Sequence, residues 1–464
     1  MNALAPAWHM LDRAQPRAII SRVTSVRGQT VTTEPLSLPL GSLVRIESAG
    51  RGDKTALGEV IAADRSGTIV MLFSSAIGLA PGDRITSVQT APTASLSVNM
   101  LGRVLDGLAR PIDGLGPLRD MELRPLIPVP MPSLNREPIT QPLATGVRAI
   151  DALVTAGKGQ RVGVFAGPGV GKSMLLGSIA RNTRADVSVI ALIGERGREV
   201  REFIERTLGP EGLARSVVFV STGDESPLMR IRAAMAATAA AELFRDNGAD
   251  VVLIMDSITR FCQAQRQIGL AAGEPPTTKG YTPSVFALLP TLLERAGAVQ
   301  GSGSITGFYA VLVEGDDMTE PISDAARGIL DGHLSLTRRL ANRGHFPAID
   351  ILDSVSRVAD SVCTSTHIQA RRQIMRLLAV YAQAEDLIDI GAYVRGANHE
   401  CDVAIDLMPK VEALLQQPAS EATDFESTVK ALTGLAVEAG HEISQRRPAS
   451  KGRSVDASGS GRQS

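Results

Sequence analysis

Residues 166–173, with the sequence Ala-Gly-Pro-Gly-Val-Gly-Lys-Ser, combine the residue types that bind phosphate. An apolar run at 161–165 precedes them and predicts a short buried strand, and residues 174–180 have the character of a helix. A glycine-rich turn between strand and helix points backbone N–H groups at phosphate oxygens, and the helix N-terminus adds its positive dipole end. Here Lys172 supplies a charge for the terminal phosphates, and Ser173 supplies a hydroxyl for a magnesium ion.

The loop therefore predicts a site for a nucleotide such as ATP. It departs from the ideal pattern at Ala166, where the first glycine usually stands, and at Pro168, which has no N–H group. The alternative interpretation is a chance glycine-rich turn, which the strand–loop–helix context disfavours. The predicted nucleotide contacts are Gly167, Pro168, Gly169, Val170, Gly171, Lys172, Ser173 and Met174.

Two carboxylates follow apolar runs further along the chain. Asp256 ends the run 251–255, and Glu195 comes shortly after the run 187–193. Both are expected at the C-terminal ends of strands, where ligands bind in open α/β sheets. There Asp256 would hold a magnesium ion through water, and Glu195 would orient the water that attacks the terminal phosphate. For Glu195 the alternative is a surface salt bridge with Arg196, Arg198 or Arg201.

Three sequence patterns predict the elements that position these residues. Short alternating apolar runs over residues 18–92 predict a small β-barrel. Over residues 93–345 strands come to alternate with helices, which predicts an α/β domain with a parallel sheet. Residues 346–440 have mainly helical spacing and predict a helical domain. The tail 441–464 is polar, rich in Ser, Gly and Arg, and is predicted to be disordered.

The first residues, 1–17, contain Trp8 and Leu11, which would lie on one face of a helix. This spacing favours a segment that docks on a partner, and a frayed end is the alternative.

Composition disfavours several classes of function. The chain has 464 residues, enough for two or three domains, and a net charge of −1, which does not favour a nucleic-acid or membrane-surface binder. Only 3% of the residues are aromatic, so few side chains could stack on bases. We find no apolar run long enough to span a membrane and no secretion signal, so we expect a cytoplasmic protein.

Six blocks of the sequence resemble rotary-type ATPases. Among these, the closest resemblance is to the bacterial type III protein-export ATPases of the flagellum and the injectisome, which are related to the catalytic subunits of ATP synthase. The resemblance runs from about residue 20 to about residue 415, and residues 226–230 and 283–290 favour the flagellar member. The six blocks are residues 167–173, 194–199, 256–260, 273–281, 314–318 and 328–333.

The resemblance implies a β-barrel, a RecA-like P-loop ATPase domain and a helical C-terminal domain, assembled as a homohexamer with ATP and Mg²⁺ between neighbouring subunits. It implies that Lys172 binds phosphate, that Ser173 and Asp256 serve the magnesium ion, and that Glu195 is the catalytic carboxylate.

Further roles implied by the resemblance concern three arginines and one aromatic residue. Arg196 and Arg260 match arginines near the terminal phosphate, and Arg357 matches an arginine finger that reaches the site of the neighbouring subunit. A fixed guanidinium charge suits the neutralisation of a transferring phosphoryl group, although an ordinary salt bridge is the alternative. Phe346 matches an aromatic residue that stacks on adenine, with a core phenylalanine as the alternative.

The resemblance also implies a set of partners and a location. The partners are a stator-like regulator at the N-terminal segment, a central-stalk coiled-coil protein, the export gate at the inner membrane, and export substrates with their chaperones. The protein would be cytoplasmic and peripherally associated with the inner face of the cytoplasmic membrane. Residues 396–399, Gly-Ala-Asn-His, depart from the usual family turn, which leaves partner specificity in the C-terminal domain open.

Other functions remain as alternatives at this point. A Rho-like helicase is disfavoured by the near-neutral charge and the few aromatic residues, and we expect no nucleic-acid partner. A non-catalytic ring subunit is disfavoured by Glu195, because such subunits generally lose this carboxylate. An ATP synthase catalytic subunit is disfavoured by the six blocks. Between the two export systems, the flagellar one is favoured and the virulence-type injectisome is the alternative.

Overall fold

The computed structural model describes residues 19–48, 55–313 and 319–446. They form a closed β-barrel, a mostly parallel sheet covered by helices, and a group of long C-terminal helices. This architecture confirms the predicted α/β core with an N-terminal barrel and a C-terminal helical domain. The predicted partner-binding segment 1–17 and residues 447–464 of the predicted tail lie outside the described residues.

The barrel consists of six antiparallel strands in the order β1-β2-β5-β4-β3-β6. Its residues alternate between inside and outside, as in β3, where Val44 and Ile46 are buried and Arg45 is exposed. Closure pairs every strand on both sides, so the barrel has no free edge. The strands are β1 (Ile20–Arg27), β2 (Thr30–Thr33), β3 (Leu43–Glu47), β4 (Thr55–Ala63), β5 (Thr68–Leu72) and β6 (Arg84–Gln89).

The central sheet has the order β17-β16-β10-β15-β13-β11-β12-β8, with β14 paired to β15. All of its pairs are parallel except those made by β14 and β17. A separate ribbon pairs β7 with β9. The strands are β7 (Thr93–Leu96), β8 (Val104–Leu105), β9 (Glu122–Pro125), β10 (Arg161–Ala166), β11 (Val187–Glu195), β12 (Ser216–Thr222), β13 (Asp250–Asp256), β14 (Gly297–Ala298), β15 (Ser304–Leu312), β16 (Gly332–Leu336) and β17 (Ile349–Ser356).

Strand β11 shows why this sheet is buried on both faces. Its residues from Val187 to Ile193 are all buried, so the strand is a continuous apolar run rather than an alternating one. Neighbouring residues of the strand belong to different cores: Ile190 packs in the cluster on one face, and Ala191 packs in the cluster on the other.

Helices cover both faces of the sheet and then form the C-terminal region. The longest helix of the central domain, Pro227–Asp246, begins at Ser226, whose side chain accepts a hydrogen bond from the N–H of Met229. A π-helical segment, Phe203–Leu208, lies between two short helices. The α-helices are Arg148–Leu153, Lys172–Asn182, Gly197–Glu202, Gly209–Ala214, Pro227–Asp246, Ile258–Ala271, Pro283–Leu293, Pro321–Ile329, Arg338–Asn342, Ala359–Val362, Ser365–Asp389, His399–Leu415 and Phe425–Arg446.

Two features differ from the predicted domain limits. Strand β17, Ile349–Ser356, lies beyond residue 345 but belongs to the central sheet, because it pairs antiparallel with β16. The last helix continues to Arg446, past the predicted start of the disordered tail at 441, because Ile443 packs on the core and Arg446 pairs with Asp406 at 2.8 Å. The other domain limits stay predictions.

Within the described ranges, no helix is long and apolar enough to cross a membrane.

Candidate nucleotide-binding and catalytic site

The phosphate loop lies where the sequence predicts it, between β10 and the helix Lys172–Asn182. Gly169 and Gly171 adopt φ angles of +79° and +91°, a backbone conformation that residues other than glycine rarely adopt. The first N–H groups of the helix have no partner within the helix, so they and the loop N–H groups can bind phosphate oxygens. The local geometry therefore supports the nucleotide-binding role of this loop.

Three charged side chains meet in front of the loop. Lys172 Nζ forms an ion pair with Asp256 Oδ1 and lies 3.7 Å from Glu195 Oε1. The Asp256 side chain is only 3% exposed, so this lysine–aspartate contact is largely shielded from water. The meeting follows from the strand order, because β10, β13 and β11 all end at the same edge of the sheet.

The environment of Glu195 changes its acidity. Burial raises the pKa of the Glu195 carboxyl to about 7, and the nearby Asp256 charge acts in the same direction, whereas Lys172 opposes it. A carboxyl group that exchanges its proton near pH 7 is suited to general-base work. Among the described residues Glu195 forms no salt bridge with an arginine, and Arg196 pairs instead with Glu199 at 3.1 Å.

A cavity of about 220 Å³ opens beside these groups, and Ser173, Glu195 and Asp256 all line it. A hydroxyl and carboxylates are the hard oxygen donors that Mg²⁺ prefers. No group of three or more His, Cys, Asp or Glu side chains in the described ranges could hold a metal ion by itself. A magnesium ion bound to nucleotide phosphates needs only one or two carboxylate side chains from the protein.

A second cavity, of about 280 Å³, lies beside the phosphate loop and is mainly apolar. The Phe346 side chain lines it and is close to the loop, since a Cβ atom added to Gly171 would lie 3.5 Å from the ring. Phe346 is 45% exposed, so it is not a core phenylalanine. Met174 also lines this cavity. Such a place beside the phosphate site fits an adenine base.

Sequence reasoning missed most of the walls of this second cavity. Its far wall comes from the segment after the helix His399–Leu415, which no local signal connects to the phosphate loop. The Gln417 N–H donates to the Phe346 carbonyl at 2.8 Å, and this contact brings the C-terminal helices to the cavity. The missed residues are Val147, Leu175, Ser178, Pro347, Gln417, Pro418 and Ala419.

The two arginines nearest the carboxylates, Arg260 and Arg196, lie in different environments. Arg260 lies against the end of β11: a Cβ atom added to Gly194 would lie 2.9 Å from the Cβ atom of Arg260. Its Nη1 donates to Gln263, and its buried Nε has no hydrogen-bond partner in the described residues. Arg196 is 86% exposed, so in a single chain it does not join Lys172 and Glu195.

Arg357 lies at the opposite end of the sheet from the phosphate loop. Ser356, the residue before it, pairs with Gly332, which in turn pairs with Val162 near the start of β10. The loop begins only after Ala166, roughly 13 Å further along that strand at about 3.3 Å per residue. Arg357 is exposed, and its guanidinium has no ion pair with any residue that the structure describes.

Comparison with known proteins identifies the domains. The model of the ATP synthase alpha/beta family nucleotide-binding domain matches residues 146–356. The model of the T3SS EscN ATPase C-terminal domain matches residues 363–434. The two matches meet just after β17, in agreement with its place in the central sheet.

Individual relatives match nearly the whole chain. The "Flagellum-specific ATP synthase" of Bacillus subtilis (strain 168) is 48% identical over 416 residues, which are 89% of this chain and 94% of the relative. The "Type 3 secretion system ATPase" of Sinorhizobium fredii is 44% identical over 430 residues, which are 92% of this chain and 94% of the relative.

Solved structures agree with this assignment. The assembled ATPase EscN of the enteropathogenic E. coli type III secretion system matches with a TM-score of 0.84 and 41% identity, over 90% of this chain and 100% of that chain. EscN in complex with its central stalk EscO matches with a TM-score of 0.82 and 40% identity, over the same shares of the two chains. With both domains and the ATPase site in place, the chain belongs to the type III protein-export ATPases of the ATP synthase α/β family.

Proposed function

We propose that this chain is the ATPase of a flagellar export apparatus, and that it works as a homohexamer which hydrolyses ATP to unfold or unload export substrates. The observation that carries the hydrolytic part is the meeting of Lys172, Glu195 and Asp256 beside the phosphate loop. The flagellar assignment rests on residues 226–230 and 283–290, which resemble the flagellar member. Overall identity does not separate the two systems, because flagellar relatives at 43–49% overlap with secretion ATPases at 44–47%.

Each residue of the site has a role in the proposed reaction. The loop N–H groups and Lys172 hold the phosphates of ATP, and Glu195 as carboxylate accepts a hydrogen bond from the attacking water and orients it. Ser173 and Asp256 would hold Mg²⁺, which supplies positive charge to the phosphates. When ATP enters, Lys172 exchanges part of its contact with Asp256 for phosphate oxygens, which frees the carboxylate.

Assembly would complete the site. Arg357 is exposed, unpaired within the described chain and remote from its own phosphate loop, so we propose that it serves the nucleotide of a neighbouring subunit. Arg196 and Arg260 would lie near the terminal phosphate in the assembled ring. The assembled state of EscN supports a ring for this chain as well.

The proposed partners follow from the C-terminal surface and from EscN. EscN binds a central stalk, and in this chain the turn after the helix Ser365–Asp389 exposes Ile390 and Val394, which are 75% and 71% exposed. We assign this turn to an equivalent central-stalk coiled coil. A regulator at residues 1–17, the export gate, and substrates with chaperones complete the set, at the cytoplasmic face of the inner membrane.

Phe346 provides a prediction about nucleotide affinity. Phe346→Ala should weaken the binding of ATP about tenfold, since loss of an aromatic that stacks on a base costs about 1–3 kcal/mol. Titration of a fluorescent ATP analogue would measure the change. Phe346→Tyr, which keeps the ring, should bind normally. Equal affinities for the wild type and Phe346→Ala would contradict the adenine contact.

Genetics in the source bacterium would test the flagellar assignment. A strain without this chain should make no flagellar filaments and should not swim, because the proposed motor supplies their subunits. The intact gene should restore swimming, whereas a Lys172→Ala version should not. Normal swimming combined with loss of effector secretion would instead assign the chain to an injectisome.

A further inference from the structure

The side chain of Gln160 is buried at the amino end of β10, the strand that leads to the phosphate loop. Its amide is fully engaged. Oε1 accepts a hydrogen bond from the Gly157 N–H at 2.9 Å, and Nε2 donates to the Asp331 carbonyl and the Ser356 hydroxyl, both at 3.2 Å. A buried amide with three such bonds holds its partners in one arrangement, because a broken bond would leave a polar group unpaired.

Both acceptors of the Gln160 amide adjoin Arg357. Ser356 directly precedes it, and the Arg357 N–H donates to the same Asp331 carbonyl at 3.0 Å. Ser356 Oγ also donates to the Thr155 carbonyl at 2.7 Å. The backbone that carries the exposed Arg357 side chain is therefore tied to the segment before β10.

An ion pair fixes Asp331 itself. Arg161 Nε and Nη2 each donate to the Asp331 carboxylate at 2.9 Å, and the Arg161 N–H donates to it at 3.0 Å. Arg161 is the first residue of β10, so Gln160 and Arg161 hold Asp331 from two consecutive positions. A bidentate arginine–carboxylate contact of this kind fixes the orientation of Asp331 relative to β10.

We propose that Gln160 is a positioning residue for Arg357, and that β10 thereby joins the phosphate loop of one subunit to the arginine that this subunit presents to its neighbour. The inference rests on the proposed function, since it assumes that Arg357 acts on a neighbouring nucleotide. Strand β10 is paired along both sides, to β15 and β16, so its two ends belong to one rigid element. A shift at one end then changes the position of the other.

The first test is Gln160→Met, which keeps a similar length and volume but removes the amide hydrogen bonds. Because a misplacement of about 1 Å can cost about 10²-fold in rate, we expect kcat to fall about 10- to 10²-fold. Affinity for a fluorescent ATP analogue should stay unchanged, since β10 keeps its backbone pairing to β15 and β16 and the phosphate loop therefore stays in place. The matched control is Gln265→Met. Gln265 is half-buried on another part of the domain, where its Nε2 donates to the Ser284 hydroxyl at 3.1 Å, so this substitution should leave kcat unchanged.

Mixed rings separate positioning of Arg357 from damage to the variant's own site. Gln160→Met subunits have an intact phosphate loop and a misplaced arginine, so they should regain activity with Lys172→Ala subunits, which supply an intact arginine. They should gain nothing with Arg357→Ala subunits. The reverse pattern would overturn the proposal, because it would mean that Gln160 acts on its own phosphate loop.

Two further measurements keep the outcomes distinct. If Gln160→Met does not fold or assemble, Ser356→Ala, which removes only one acceptor of the amide, should show the same pattern of recovery with a smaller loss. Ser356→Ala with wild-type kcat, or with no preference between the two partners, would overturn the link. If Lys172→Ala and Arg357→Ala regain no activity together, mixtures of each with the wild type lose activity in proportion to the variant, and Gln160→Met leaves kcat unchanged, both the shared site and the link are wrong. Recovery of that reference pair without the predicted Gln160 pattern refutes the link alone.

Discussion

Lys172→Ala and Arg357→Ala subunits, each nearly inert alone, should regain ATPase activity when they are mixed and assembled together. An arginine finger is worth about 10³–10⁵ in rate, so rings without Arg357 should lose almost all turnover. In mixed rings some interfaces join an intact phosphate loop to an intact arginine. With equal amounts of both variants and random assembly, about a quarter of the interfaces have this composition.

The structural reason for this expectation is the location of Arg357. It lies near the amino end of β10, whereas Lys172 follows the carboxyl end, and the sheet separates them. Arg357 therefore does not reach the phosphate loop of its own chain without rearrangement of the sheet. Activity should also rise steeply with protein concentration as rings form.

The measurement is steady-state ATP turnover of the mixture, with co-assembly verified by two affinity tags. Mixing each variant with the wild type is the control. A loss in proportion to the variant would show independent sites, and an abrupt loss would show strict coupling around the ring. No recovery in verified mixed rings, together with a proportional loss in the wild-type mixtures, would contradict a shared site.

Glu195→Gln should keep ATP binding and lose hydrolysis by about 10²–10⁴-fold, the usual effect of removing positioned acid–base help. The amide keeps the shape of the side chain but can neither accept the water proton nor carry charge. Nucleotide affinity and turnover measured on one preparation would test this. The control is Glu205→Gln, since the Glu205 carboxylate pairs with Arg201 at the surface at 2.7 Å. Wild-type turnover by Glu195→Gln would refute the role.

The acidity of Glu195 gives this prediction a second readout. Burial raises its pKa to about 7, so below that pH the free enzyme holds the group mainly in the neutral form, which cannot act as a base. For the wild type, kcat/KM should therefore fall about tenfold for each pH unit well below 7, because kcat/KM reports the free enzyme. The residual activity of Glu195→Gln should lack this inflection. An inflection of equal size in both proteins would assign it to another group.

Gln417 links the helical domain to the ATPase domain through buried hydrogen bonds. Its backbone N–H bonds the Phe346 carbonyl, its Oε1 accepts from the Arg148 N–H at 2.8 Å, and its Nε2 donates to the Gly146 carbonyl at 2.8 Å. The segment that follows the helix His399–Leu415 is thus hydrogen-bonded both to Phe346 in the proposed adenine cavity and to the start of the ATPase domain. A movement of the C-terminal helices would therefore change the shape of the cavity beside Phe346, where the adenine base is expected.

The parts of the site that consist of contiguous residues were predictable from the amino-acid sequence alone. The phosphate loop, Lys172 and Ser173 form one unbroken motif, because the strand, turn and helix around them are encoded within about twenty residues. Glu195 and Asp256 were placed at strand ends by apolar runs alone, for the same local reason. Alternating apolar runs and helical spacing predicted the barrel and the helical domain, and the family resemblance implied the roles of Arg357 and Phe346.

Only the tertiary structure decided which distant segments meet. Strand order brings β10, β13 and β11 to one edge, and this sets the 3.7 Å contact of Lys172 with Glu195 and the raised pKa of that carboxyl. The pairing of β17 with β16 moves a strand into the sheet and carries Arg357 to the far end from the phosphate loop. The walls of the base cavity and the Gln160 contacts join residues far apart in the chain. Such pairings depend on packing across the whole domain, which local propensity and spacing do not encode.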